Sequence, residues 1–372
     1  MSVSLHQSRK KRKGGTRNLG SGSGGKRNVF CARRVRDFRR RRTSLSEACF
    51  LLAFVLSTVF SSIAHSAPAP PSSPEGAAAL PDGFRISSAL PARFAFVMEN
   101  SLWIADPADG SLERIEGEDW TSPGSPTFLS PRGDRILFGA YRRRRYPPHP
   151  GTIDISVSNL YEYRNGKVFP LTDRNDLNLS PDFCRATGAI VFVSNRHSHL
   201  RKLFPRYNTI ELYYREKKWH AARKFTESGG TKFNPRWSPD GTHVLFLWYT
   251  PETAGLYLLD TRNGKVRRIS ETGDYATWSP DGARIAFVHQ GEIFVVPVGK
   301  NCRTRGTPRL LLGTDRLPGY ASFTRWTDYG LLFQWAASGR SGISLYNSKK
   351  DLITELVSAD AVFGGSDLAP LF

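Results

Sequence analysis

The sequence predicts an all-β chain folded as a six-bladed β-propeller with four-stranded antiparallel blades. Three observations carry that reading. The segment Trp237-Ser-Pro-Asp-Gly241 returns 41 residues later as Trp278-Ser-Pro-Asp-Gly282. Three further apolar or half-polar runs lie between the two, His243 to Trp248, Leu256 to Asp260 and Val266 to Ser270. With the strand that ends at Trp237, one period holds four short strands, the content of a propeller blade. From Phe84 onward such runs alternate with Gly, Pro, Asn and Asp, and no stretch has helical periodicity.

Taken in order, the chain opens on a basic leader. Residues 1–66 carry 15 Lys/Arg and 2 Asp/Glu, a net of +13. The whole chain carries +20, so the part that folds is only about +7, and the charge excess does not argue for a nucleic-acid partner. Arg39 to Arg42 precede an apolar stretch, Ala48 to Phe60, and Ala64-His-Ser66 follow. Basic, apolar and small-residue parts in that order predict a secretory signal cleaved after Ser66, with an apolar run too short to span a bilayer of roughly 30 Å. An uncleaved anchor is the alternative; after cleavage no stable membrane span is expected. Residues 1–34 are Gly/Ser-rich and basic, which fits a translation start further on, near Val35. Residues 67–83, rich in Pro and Ala, form a linker, and the propeller occupies 84–372.

The first unit shows three strands, Phe94 to Met98, Leu102 to Ala105 and Leu112 to Ile115. The second runs from Pro126 to Leu171, the third from Leu177 to Phe225, the fourth and fifth start at the two Trp-Ser-Pro-Asp-Gly segments, and the sixth runs from Ala321 to Val357. The repeated residues have mechanical reasons. Pro239 and Pro280 fix φ at a turn corner, Asp240 and Asp281 can accept from their own downstream amides, and Gly241 and Gly282 take a positive φ. Trp237, Trp278 and Trp326 end inner strands, where they can wedge between blades. Asn165-Gly166 and Asn263-Gly264 read as two-residue hairpin turns.

This pattern resembles the TolB-like (PD40) family of WD40-like propellers. It is most specific at Trp237 to Gly241 and Trp278 to Gly282, and degraded at Ser130 to Gly133, Ser180 to Phe183 and Trp326 to Gly330. The resemblance implies the fold and an envelope location, periplasmic or secreted. It does not carry over the full Tol–Pal role, because TolB has an α/β domain before its propeller and this chain has only a linker there.

Ring closure is expected from the far end. Asp367-Leu-Ala-Pro370-Leu-Phe372 aligns with Lys232-Phe-Asn-Pro235-Arg-Trp237, so the tail should supply the inner strand the first unit lacks, with Phe84 to Ser88 as the competing donor. Cys31 and Cys49 fall in the leader. Cys184 and Cys302 fall on loops two blades apart, further than the ~7 Å a disulfide can bridge, and are expected as free thiols.

Two insertions break the compact repeat. One carries Arg142, Arg143, Arg144 and Arg145; the other carries Arg196, His197, His199, Arg201, Lys202 and Arg206. Both connect second to third strands of neighbouring blades, so they should share a face and form a basic lip that binds an anionic envelope protein or other anionic envelope component. A solvated pair of loops is the plainer alternative. His197 and His199 lack a nearby acid, so no metal and no other cofactor is expected. Asp119, Asp176, Glu227 and Asp274 could rim the opening. The inner-strand starts near Pro126, Asn178, Asn234, Tyr275 and Tyr320 are polar or aromatic, not ionic, and no Gly-x-Ser-x-Gly elbow follows the leader. No catalytic residue is assigned. The reading is a binding or scaffold module; the alternative is a metal-dependent hydrolase or lyase of envelope carbohydrate.

Overall fold

The computed structural model describes residues 83–87, 92–117, 119–130, 132–143, 153–172, 176–196, 210–216, 222–250, 252–299, 302–360 and 369–370. These form a six-bladed β-propeller with no helical domain. A short strand β1 (Arg85–Ile86) precedes the blades. Blade 1 uses β2 (Phe94–Met98), β3 (Ser101–Asp106) and β4 (Ser111–Ile115); blade 2 uses β5 (Trp120–Phe128), β6 (Arg135–Arg143), β7 (Ile153–Arg164) and β8 (Lys167–Pro170). Blade 3 is β9 (Asn178–Phe183), β10 (Ile190–Ser194), β11 (Glu211–Arg215) and β12 (Arg223–Lys224); blade 4 is β13 (Thr231–Trp237), β14 (His243–Tyr249), β15 (Ala254–Asp260) and β16 (Val266–Ser270). Blade 5 is β17 (Asp274–Trp278), β18 (Arg284–His289), β19 (Glu292–Pro297) and β20 (Arg309–Leu312); blade 6 is β21 (Tyr320–Thr327), β22 (Gly330–Ala337), β23 (Arg340–Asn347) and β24 (Leu352–Ala359). The tail strand β25 (Ala369–Pro370) completes blade 1.

The predicted clasp forms. β25 pairs antiparallel with β2, while β1 pairs with the outer strand β24 of blade 6. The segment that begins at Phe84 therefore does not compete for the inner position; its strand caps a neighbouring blade's edge. The register differs from the sequence alignment. Pro370 faces Phe94 at the place where Trp237 faces Val244, so Pro370 occupies the tryptophan's position and not that of Pro235. The two blades are equated through their shared third-to-fourth-strand turn, where Gly110 and Gly264 donate to the carbonyls of Asp106 and Asp260.

Apolar side chains collect in six clusters, and each cluster joins two successive blades. The ring closes between blades 6 and 1, where Phe94, Phe96 and Met98 meet Leu332, Ile343 and Val357. Trp237, Trp278 and Trp326 are buried wedges, packed against blades 3, 4 and 5 respectively as well as against their own. This is why alternating strands bury both faces here: each sheet is sandwiched between neighbours.

The two specific turns match atom for atom. Thr242 N and Ala283 N donate to Asp240 Oδ1 and Asp281 Oδ1 at 3.1 and 2.9 Å. Gly241 and Gly282 have φ of 71° and 68°. Ser238 and Ser279 also contribute, each Oγ accepting from the amide of the next strand's first residue at 2.9 Å. A Cβ on Gly241 would lie 2.9 Å from Cys184 Sγ, so the turn needs glycine for space as well as for φ. Asn165-Gly166 is the expected two-residue turn, with Arg164 paired to Lys167. Asn263-Gly264 is not: it belongs to a longer turn gathered on Asp260, which accepts from Arg262 N and Asn263 Nδ2, both at 3.0 Å. Cys184 and Cys302 are both free.

Candidate functional site

Antiparallel blades fix two faces. Inner strands start on the face that also bears the second-to-third-strand connections. They end on the opposite face, at the Ser-Pro-Asp-Gly-type turns. Between the faces lies the central channel, lined by β5, β9, β13, β17, β21 and β25.

The channel is built in layers. In five blades the inner strand slips register against its neighbour around a corresponding residue, Ser125, Ser180, Asn234, Tyr275 or Phe323, and β5 slips a second time around Ser122. All five sit in the left-handed region, with φ between 46° and 50°. Such β-bulges re-aim side chains, and left-handed non-glycine residues store on the order of 1 kcal/mol or more each. The side chains meet around the ring. Ser180 Oγ donates to Asn234 Oδ1 at 3.4 Å, and Asn234 Nδ2 donates to Asp274 Oδ1 at 3.3 Å. The Tyr275 and Phe323 rings lie 4.0 Å apart between centroids, tilted by 44°.

Two residues further along each inner strand is a second layer: Thr127, Asp182, Arg236, Thr277 and Arg325, with Ala369 in blade 1. Three of its residues, Asp182, Arg236 and Arg325, are ionic, unlike the inner-strand starts near Pro126, Asn178, Asn234, Tyr275 and Tyr320. Arg325 Nη1 lies 3.3 Å from Asp182 Oδ1 although the two belong to diametrically opposed blades, so the pair spans the channel at this level. Asp182 Oδ2 also accepts Trp237 N of the next blade at 2.8 Å, and Thr277 Oγ1 accepts Trp326 N at 3.2 Å. Arg236 is 4% exposed. Burial pulls its guanidinium down to about 9, with repulsion from Arg325 adding to the shift and Asp182 opposing it; it remains cationic at neutral pH. The layer is not legible from the strand starts, because it lies beyond the bulge in each inner strand.

The rim acids separate. Asp274 is half-buried, and burial raises its carboxyl to about 6 against the lowering effects of Tyr275 N and Asn234. Asp176 is buried under Asn178, whose Nδ2 reaches its carbonyl at 3.5 Å. Glu227 is exposed, with its carboxylate 3.9 Å from Lys224. Asp119 is exposed too, one residue before β5 begins.

The basic insertions fall mostly outside the described residues. Arg144, Arg145, His197, His199, Arg201, Lys202 and Arg206 do so entirely. Arg142 and Arg143 lie on β6, which runs on beyond the blade body and pairs with β7 at Arg142↔Asp154 and Arg143↔Ile153. The start of the first insertion is thus a strand extension and not a loop. Arg196 is a packing residue as well as a cation. Its guanidinium stacks 5.0 Å over Phe192 and 4.9 Å over Tyr213, and Nη2 donates to Asn178 Oδ1 at 2.7 Å. Among the described residues no three of His, Cys, Asp and Glu stand together as a metal would need, and no helix is long and apolar enough to cross a membrane.

Comparison with known proteins agrees with the fold. Residues 238–309, which hold most of both specific turns, match the family model of the dipeptidyl peptidase IV (DPP IV) N-terminal region. TolB from Acinetobacter baumannii is a similar solved structure, with a TM-score of 0.56 and 19% identity, over 75% of this chain and 66% of that one. A chain of Kuenenia stuttgartiensis hydrazine synthase gives a TM-score of 0.56 and 15% identity, over 75% of this chain and 46% of that one. A chain of a nidogen/laminin complex gives 0.52 and 7%, over 76% and 98%. No curated protein matches the sequence. At these identities the likeness is one of architecture.

Proposed function

We propose that this chain is an exported propeller that works as a protein-binding or scaffold module in the cell envelope, holding an anionic partner on the face that bears the basic insertions. The observation that carries the reading is the hairpin of β6 and β7. Its strands are 9 and 12 residues long and bring Arg142 and Arg143 out on paired backbone beside the neighbouring blade, where Arg196 opens the second insertion. Arginine on a supported arm suits acidic surfaces, since little side-chain or backbone freedom is lost on binding. Likeness to TolB in fold accords with a binding role, and the leader, with cleavage expected after Ser66, supports export.

The test is capture from an envelope extract by the purified chain and by the variant R142A/R143A/R144A/R145A. The expected result is an acidic partner that is retained by the first, lost by the second, and released as salt rises from about 50 mM to about 500 mM. A folded variant that keeps every partner overturns the reading. A stoichiometric metal in the purified protein, with turnover of envelope carbohydrate, would replace it with the hydrolase or lyase. Amino-terminal sequencing checks export: a mature chain starting at Ala67 is expected, and an intact leader contradicts cleavage.

A further inference from the structure

The channel mouth on the face of the basic insertions has the opposite chemistry to those insertions. β17 begins there with Asp274, whose Oδ1 accepts from Tyr275 N at 2.7 Å and from Asn234 Nδ2 at 3.3 Å. Among the described residues no Lys, Arg or His forms an ion pair with it. Its neighbours are aromatic. Tyr275 and Phe323 make one wall, both locked in the left-handed conformation at φ 48° and 46°. Tyr249 is close enough to Asp274 and Tyr275 to interact with both electrostatically, and its ring is edge-on to Phe233 with centroids 5.9 Å apart. Asp274, Tyr249 and Tyr275 are each partly open to solvent, and Tyr320, the first residue of β21, is 69% exposed at the same mouth. Tyr320 is held by close packing on Gly291, where a Cβ would come within 2.1 Å of its ring.

A carboxylate without a cation, set among aromatic faces, is the arrangement that attracts an organic cation: the carboxylate supplies charge, and the rings supply cation–π attraction and exclude water. The elevated carboxyl of Asp274 agrees, since burial without a countercharge is what an incoming cation would relieve. We infer that Asp274, Tyr249, Tyr275 and Phe323 form a binding site for an organic ammonium group on a slim stem, such as a lysine side chain or a quaternary ammonium head. This goes beyond the anionic-partner reading and does not depend on it: the site is central, the basic insertions are peripheral, and a small probe reports on the site alone.

The experiment titrates the purified full chain with choline chloride, followed by tyrosine fluorescence or chemical shift. Sodium chloride of equal ionic strength and 3,3-dimethylbutan-1-ol, choline's uncharged isostere, serve as controls. Saturable choline binding is expected, at least about tenfold tighter than the alcohol and weakened about tenfold or more in Asp274→Asn. Phe323→Leu, which keeps an apolar wall but removes the ring face, should weaken it by a smaller factor. Equal binding of alcohol and choline, or a folded Asp274→Asn that binds choline like the wild type, overturns the inference. So does the absence of saturation at about 50 mM choline, a concentration that would nearly fill a site with a dissociation constant of roughly 5 mM. R142A/R143A/R144A/R145A should bind choline unchanged, so failure of the basic-face reading and failure of this one are separately visible.

Discussion

Asp182 meets two demands at one position. One oxygen faces Arg325 across the channel, and the other accepts the Trp237 amide of the next blade. Arg236 is buried close by. Asp182→Ala would therefore leave two guanidinium groups without this carboxylate, at a cost of about 3–5 kcal/mol in equilibrium unfolding by urea. Asp182→Asn keeps an acceptor for Trp237 and should cost less, about 1–3 kcal/mol. Equal losses would show that the bond to the Trp237 amide adds nothing beyond the cross-channel ion pair. Asp274 gives a pH signature of its own. Its carboxyl is held at about 6 in the fold, above the ordinary 3.8, so the fold favours the protonated form. Its contribution to stability is full below about pH 3.8 and is lost as pH rises through about 6. Asp274→Asn removes that loss. The stability of the variant relative to the wild type should climb by on the order of 2 kcal/mol between pH 4 and pH 7 and then level off. A difference that stays flat over that range contradicts it. Neither residue stood out in the sequence. Asp182 sits in a degraded repeat, Ser180-Pro-Asp-Phe183, and its partner is 143 residues away; in the sequence Asp274 is one rim acid among four, since its burial is a property of the folded ring.

At the scale of elements, local turn chemistry was legible wherever a turn closes on itself. Trp237 to Gly241 and Trp278 to Gly282 announce their conformation because Pro fixes φ and Ser, Asp and Gly each bond a neighbour within five residues. Asn263-Gly264 misled for the opposite reason. Asp260, three residues before Asn263, decides that turn by collecting its donors. The tail clasp was legible as an element but not in register, because Pro235 is bulged out of the pairing in blade 4 while Pro370 is paired with Phe94 in blade 1. The clasp carries a prediction. Removing residues 369–372 strips β2 of its inner partner and uncovers the backbone of a central strand beside the channel. The thermal midpoint should fall by roughly 5–10 °C, a loss of a few kcal/mol for a domain of this size. Removing residues 83–88 uncovers only the outer edge of β24 and should lower it by less. If the two deletions act alike, or neither acts, the tail is not what holds the ring shut. The buried pair of Lys232 and Glu211, 2.6 Å apart, ties blades 3 and 4 in a comparable way through the start of β13. Nothing in a half-polar run such as Thr231-Lys-Phe-Asn flags a lysine that is 0% exposed.

For the whole molecule, the ring turns a question of net charge into a question of faces. The +20 of the chain is concentrated in the leader, and what remains is close enough to neutral that distribution matters more than total. Arg142 and Arg143 lie where second strands end, on one face. Arg132 and Arg185 lie on the turns that follow inner strands, on the other, and both are exposed. That geometry permits a charge-matched comparison. R142A/R143A and R132A/R185A each remove two positive charges, so long-range attraction of an acidic partner falls equally in both. If a particular face docks, only the first pair should lose the captured partner, by about tenfold or more in dissociation constant, because close charge contacts act chiefly on the bound state while distant charge acts on encounter. If both pairs weaken capture alike, and high salt abolishes the effect in both, the chain attracts acidic proteins through its overall field and has no dedicated basic face. Which side of the ring an insertion occupies follows from strand parity alone, and that much could be read from the order of strands. What the insertions touch depends on the partner's surface, and no pattern within this chain encodes it.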